Sequence, residues 1–333
     1  MKISAIMYPS INAKLKGMYS KKLKSEEIEE LLKQNSTKQA IALLKSLNNS
    51  FKDLEDNPQR INIKMLLDDI LIEDIRKIYR LLDDLDKKIF KQFISIYEIK
   101  CIKSIFRKVV SESNVNDEEN ETYHWINAIF KNLKPLKQVK DYESFLNAIK
   151  RTKYYKIFEE YNEKINVFEI ENKLDRFYFE QMIKVATVYN NLEDMIGKQI
   201  DLNNIIWIYR VKRNYNFSEE EIKNILIKYT YKLKKSELED LVETTNINEM
   251  TDILKKTYYA KYINFDDLMS LEENTDKYLY EVYKKYFRGN VLDGTSVYAY
   301  ISMIDKENND IMNIVEGIRY NLDRDEIQKK LVR

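Results

Sequence analysis

The sequence predicts an all-α protein made of three similar helical units, on three observations. Only five glycines and three prolines occur in 333 residues, too few to punctuate many strands and turns. Leu, Ile, Lys and Glu dominate instead, as they do in long helices. Apolar residues fall at the i, i+3, i+7 spacing of a single helix face, and one such helix recurs. Residues 97–107 (YEIKCIKSIFR), 200–210 (IDLNNIIWIYR) and 309–319 (NDIMNIVEGIR) each set an acid nine residues ahead of an arginine. Glu98, Asp201 and Asp310 fill one slot; Arg107, Arg210 and Arg319 fill the other. Between them Ile99, Ile102 and Phe106 align with Leu202, Ile205 and Tyr209, and with Ile311, Ile314 and Ile318. An acid in the first turn and a base in the last suit the helix dipole. The two stand half a revolution apart, so they cannot pair along their own helix.

Residues 8–23 (YPSINAKLKGMYSKKL) read as a basic first helix, and Ser25, followed by Glu26 and Glu27, is the expected N-cap of a second that ends near Leu32. Ser36 with Gln39 makes a capping box for a third helix, which carries Ala40, Leu43, Leu44 and Leu47 on one face. Residues 55–62 (EDNPQRIN) are a break, since Pro58 disfavours helix at Asn57. The helical pattern resumes at Ile63 and runs, with interruptions, to Val110. Residues 111–121 (SESNVNDEENE) are acidic and aperiodic, an expected loop and the first boundary between units.

Pro135 interrupts the second unit once, and residues 141–158 (DYESFLNAIKRTKYYKIF) follow as amphipathic helix. Within them AIKRTKYY, residues 148–155, resembles ILKKTYY, residues 253–259. Likewise ENKLDRFY from Glu171 resembles EENTDKY from Glu272, keeping Asp175 with Tyr178 and Asp276 with Tyr278. These offsets, about 105 and 101 residues, agree with the 103 between Glu98 and Asp201. After Arg210 comes a capping box, Ser218 with Glu221; after Arg319 comes Asp323 with Glu326. The beginning repeats the order, with Asn12 in the place of Asn204 and Asn313 and then Ser25 leading into Ile28 and Leu31. Three units of about 100 residues arranged in a circle account for this, with boundaries at 1–110, 111–213 and 214–333. Helical solenoids repeat every 34 to 47 residues or so and do not fit the period.

Lys and Arg number 56 against 55 Asp and Glu, so no global basic field exists to hold nucleic acid. The longest apolar runs, such as residues 205–209, fall far short of the roughly 20 residues that cross a bilayer, and the opening MKISAIMYPS lacks the apolar core of a signal peptide. One cysteine, Cys101, excludes an internal disulfide framework and fits a reducing cytosol.

Residues 8–23 resemble the opening of the C subunits of archaeal and bacterial A/V-type ATPases, a tyrosine followed by N-A-R-x-R-A-M, a basic residue and leucines. Asn12 and Ala13 match; Lys14 and Lys16 stand at the two arginine positions, Gly17 and Met18 replace A-M, and Lys22 and Leu23 follow. The last third resembles the same family in a glycine-containing turn (Gly289, Gly294), an aromatic helix (Tyr298, Tyr300), a Lys306, Glu307, Asp310, Ile311, Asn313 series and a final Glu326, Ile327, Leu331. The segment from Asp310 to Ile318 is also similar to the eukaryotic counterpart, the d subunit of the vacuolar-type ATPase. Thr295 and Ser296 stand where many relatives carry proline, and one extra residue separates Glu307 from Asp310. The resemblance implies three similar helical lobes in a pseudo-threefold funnel, a central-stalk rotor adaptor between shaft subunits of the D and F type and the membrane proteolipid ring. It implies a cytoplasmic, peripheral subunit with no catalytic residue and no cofactor of its own. The family's paired arginine positions make Lys14 and Lys16, with Arg210 and Lys212 in the matching later region, the expected partner-binding residues.

The residue chemistry selects no competing site. His124 is the only histidine, so a zinc site would need mostly carboxylates; a packed or solvent-edge histidine is the expectation. Cys101 falls in the slot of Asn12, Asn204 and Asn313, which favours a position between helices over a nucleophile. GxxxxGK is absent, Gly289 to Gly294 (GNVLDG) being followed by threonine without the lysine. Tyrosines such as Tyr154, Tyr155, Tyr258 and Tyr259 suit helix seams, and acid pairs such as Glu159 and Glu160 suit solvated surface. A helical scaffold of another assembly and, more distantly, a carboxylate hydrolase stay open beside the adaptor.

Overall fold

The computed structural model describes residues 4–111, 121–159, 167–215, 217–289 and 293–333, and among them every regular element is helical. The chain begins with α1 (Ser4–Tyr19), α2 (Ser25–Leu32), α3 (Thr37–Leu47), α4 (Arg60–Tyr79), α5 (Asp84–Val110) and α6 (Glu121–Ala128). A 3-10 helix (Lys131–Gln138) leads into α7 (Tyr142–Ile149), α8 (Tyr155–Glu159), α9 (Val167–Ala186), α10 (Asn190–Asn214) and α11 (Glu219–Ile225). The remainder is α12 (Lys235–Glu243), α13 (Ile247–Leu254), α14 (Leu271–Arg288), α15 (Thr295–Arg319) and α16 (Arg324–Lys329). Most of the expected acidic loop, residues 112–120, lies outside the described residues, as do Glu160 and residues 290–292 of the GNVLDG turn.

Local chemistry sets many helix starts. Gln39 N–H donates to Ser36 Oγ at 3.3 Å while Gln39 Oε1 accepts from Asn35 N–H, and Ser218 and Glu221 close the reciprocal box in front of α11. Asp323 N–H reaches Glu326 Oε2 in front of α16. The second helix corrects the expectation: Lys24, not Ser25, is the N-cap, because the Glu27 carboxylate takes the Lys24 N–H and draws Ser25 into the first turn. The first helix also ends sooner than expected, at Tyr19, and residues 20–23 turn away.

The recurring helices are longer than their sequence pattern. They are the last parts of α5, α10 and α15, so Glu98, Asp201 and Asp310 lie mid-helix, not in a first turn near the dipole's positive end. The three arginines do sit in or next to the last turns. Along each stripe the expected burial holds, with Ile102, Ile205 and Ile314 all at 0 % exposure.

Six long helices pack in series: α5 on α9, α9 on α10, α10 on α14, α14 on α15 and α15 on α4, while α6 lies against both α4 and α5 and completes the circuit. One apolar core follows this circuit through all three thirds of the sequence, from Tyr8 to Ile304. A second joins early and late segments, with Ile28, Leu44, Ile63 and Leu67 against Ile314, Val315, Ile318 and Ile327. Gly317 permits that junction, since a Cβ there would stand 2.5 Å from the Ile327 side chain.

Candidate functional site

The repeated slots have repeated partners on other elements, although Arg319 also pairs with Glu316 of its own helix at 3.2 Å. Arg107 near the end of α5 pairs with Glu171 at the start of α9. Arg210 near the end of α10 forks onto Glu272 at the start of α14, with Nε to Oε1 at 2.7 Å and Nη2 to Oε2 at 2.6 Å. Arg319 at the end of α15 donates from Nη2 to the Pro58 carbonyl, just ahead of α4. Each arginine therefore ties the end of one long helix to the start of an antiparallel neighbour, and the last tie returns to the early part of the chain.

The acid slot works in the same way. Glu98 accepts from the Tyr154 hydroxyl at 2.7 Å and Asn132 Nδ2 at 2.9 Å. Asp201 accepts from the Tyr259 hydroxyl at 2.7 Å and from the backbone N–H groups of Tyr231, Lys232 and Leu233. Tyr154 and Tyr259 are the matched tyrosines of the two similar segments, and both are fully buried; burial and the adjacent carboxylate raise both phenols far above the usual tyrosine range. Asp310 departs from this pattern, taking the Val332 N–H and Arg333 Nε. Arg333 also faces Glu307 Oε2 at 3.6 Å, and Glu307 Oε1 accepts the hydroxyls of Tyr19 and Tyr280.

The small-polar slot follows suit. Asn204 makes two bonds with the Ile227 backbone, Asn313 Nδ2 donates to the Lys330 carbonyl, and the Cys101 thiol lies 3.7 Å from the Thr122 carbonyl. Cys101 is thus a buried link between α5 and α6. His124 sits at the solvent edge with Nε2 2.6 Å from Asp69 Oδ1.

Of the expected partner-binding residues, Lys14 and Lys16 are exposed on α1 and make no ion pair among the described residues. Lys14 lines a surface hollow of about 670 Å³ together with Lys21, Lys77, Asp69 and Glu73. Arg210 is engaged with Glu272, yet its side chain stays 44 % exposed. Lys212 directs Nζ at the carbonyls of Val242, at 2.8 Å, and Thr244, and partial burial lowers its pKa. Sequence reasoning found the arginines and acids but not their partners, and it missed Arg333 and Glu307 as the buried joint between early and late segments. The matched Glu171 and Glu272 were the available signal for the arginine ties.

Polar groups that recur from helix to helix, with partners on neighbouring elements, define an all-helical protein whose long helices are tied to one another by side chains. Among the described residues no helix is long and apolar enough to cross a membrane. The family model described as ATP synthase (C/AC39) subunit matches residues 11–330. The chain belongs to that family, the C subunits of A/V-type ATPases, which are non-catalytic components. It is similar to the C subunit of the A-type ATP synthase of Methanocaldococcus jannaschii, 25 % identical with 100 % of this chain and 88 % of the relative covered. The corresponding C subunit of Methanosphaera stadtmanae is 24 % identical over 84 % of this chain and 75 % of the relative, and that of Methanococcoides burtonii 24 % over 73 % and 71 %.

Proposed function

We propose that this protein is the central-stalk adaptor of a rotary ATPase, joining shaft subunits of the D and F type to the membrane proteolipid ring at the cytoplasmic face. The family match over residues 11–330 carries the reading. The repeated arginine ties support a funnel of three lobes, residues 1–110, 111–213 and 214–333, related by a pseudo-threefold axis. Torque must pass from a thin shaft to a wide ring without slip, and a circuit of packed helices tied at three of its junctions suits that task. Such a coupling needs interfaces of roughly 1,200 Å² or more with charge complementarity to fix register. Lys14 and Lys16 are proposed as free cations of that contact. Arg210 and Lys212 enter it through the surface that their own bonds hold in place.

Co-purification of the tagged protein with shaft and proteolipid subunits tests the reading, and reversing Lys14 and Lys16 to Glu tests the site. We expect an unchanged melting point with weaker, less salt-sensitive assembly. Assembly at normal affinity and normal salt sensitivity would remove the two lysines from the interface, and failure of the unmodified protein to associate with either partner would remove the adaptor reading.

A further inference from the structure

A cavity of about 750 Å³ opens between the end of α4, the first half of α5 and the segment after α6. Its floor is apolar, with Ile75, Phe90, Ile94 and Phe130 all nearly inaccessible. Its walls carry six cations, Arg76, Arg80, Lys88, Lys91, Lys131 and Lys153, against one acid. That acid, Glu98, already accepts from Tyr154 and Asn132. Arg76 donates to the Ala128 carbonyl, and Lys153 lies over the rings of Tyr154 and Phe177. The other four are exposed and make no ion pair among the described residues. In a chain of 56 cations and 55 anions this is a strong local excess.

We infer that this groove seats an acidic, amphipathic segment of the central shaft, apolar side chains against Tyr79, Ala128 and Ile129 and carboxylates on the four exposed cations. The inference rests on the adaptor reading. Three features favour this occupant. No glycine lines the groove to form a backbone nest for a phosphate, and the cations are spread over separate elements instead of converging on a point, which suits carboxylates distributed along a peptide. The half-buried Tyr79, Ala128 and Ile129 of the same lining offer apolar contact beside the charges. Finally, the groove is not repeated: in the register that aligns Glu98 with Asp201 and Asp310, the slots of Lys88 and Lys91 hold Asn191 and Asp194 on α10, and Tyr300 and Met303 on α15. A site made once matches a shaft present as one axis, whereas a ring of identical proteolipids would present the same segment many times.

The test compares two fourfold reversals in the full chain, each titrated with the isolated shaft complex and, separately, with the proteolipid ring. One variant is Arg80→Glu, Lys88→Glu, Lys91→Glu, Lys131→Glu. The control reverses Lys33, Lys52, Lys228 and Lys261, exposed lysines with no ion pair among the described residues. It makes the same change in net charge. All eight side chains are exposed, and an unchanged helical spectrum and melting point establish folding. The expected result is shaft binding weakened by about tenfold or more for the groove variant, with a shallower salt dependence, and by less than about twofold for the control. Unchanged shaft affinity in the groove variant, an equal loss in the control, or a loss confined to ring binding would overturn the groove while leaving the adaptor reading intact. Should the unmodified protein bind neither shaft nor ring, the adaptor reading fails and this inference with it.

Discussion

On α5, Glu98 and Arg107 hold the helix to elements that come after it in the chain, as Asp201 and Arg210 do on α10. Two turns before the acid the two helices diverge: α5 offers Lys91 to an open groove, whereas α10 offers Asp194 to Lys198 at 2.6 Å and to the hydroxyls of Tyr231 and Tyr286. The difference separates two kinds of position. The acid slot repeats because a carboxylate held there would be costly to leave unpaired. The slot two turns earlier is filled in different ways: on α5 it faces solvent, and on α10 its partners come from within the chain.

The largest expected effect falls on the acid slot, where the two helices share a position but not its weight. Asp201 is fully buried and takes three backbone N–H groups and a phenol, so Asp201→Ala should cost at least about 3 kcal/mol. Glu98 is half-buried with two side-chain donors, and Glu98→Ala should cost about 1 to 2 kcal/mol. Urea denaturation that ranks them the other way would break the comparison. Next comes the stripe: Ile102→Ala, Ile205→Ala and Ile314→Ala should each cost about 2 to 5 kcal/mol, and a negligible loss at any one would show that its surroundings collapse into the cavity.

Asp194 should give a smaller, pH-dependent effect. Burial pushes its carboxyl up, but Lys198 and the Tyr286 and Tyr231 hydroxyls outweigh this and hold it below the usual carboxylate range. Its stabilising contribution is therefore complete above the unfolded value near 3.9 and is lost as pH falls through the lower native one. The stability gap between the unmodified protein and Asp194→Asn should shrink on acidification through that window; a gap independent of pH would show that the carboxylate is not preferentially held. The smallest effects belong to Arg107→Ala and Arg210→Ala. Their ion pairs are largely solvated, with arginine side chains 60 % and 44 % exposed, so each should cost less than about 1 kcal/mol. A larger loss at either would show that end-to-end pinning matters to stability as well as to geometry.

The all-α class, the Ser36 N-cap, the capping boxes at Ser218 and Asp323 and the buried stripe were all legible in the sequence, because each is written in residues within a few turns of one another, whereas at Ser36 the Gln39 side chain takes the Asn35 N–H in place of the expected reciprocal bond. Helix propensity, caps and periodicity act locally, so a string of residues carries them without knowledge of the fold. Tertiary structure alone decided where the marked residues point. It set Arg107 on Glu171, returned Arg319 to Pro58, buried Arg333 between Asp310 and Glu307, and gathered Arg80, Lys88, Lys91 and Lys131 around one apolar floor. Those pairings join residues tens to hundreds of positions apart. Their identity depends on which helix faces meet, and that is fixed by packing summed over the whole circuit, not by any segment of the chain.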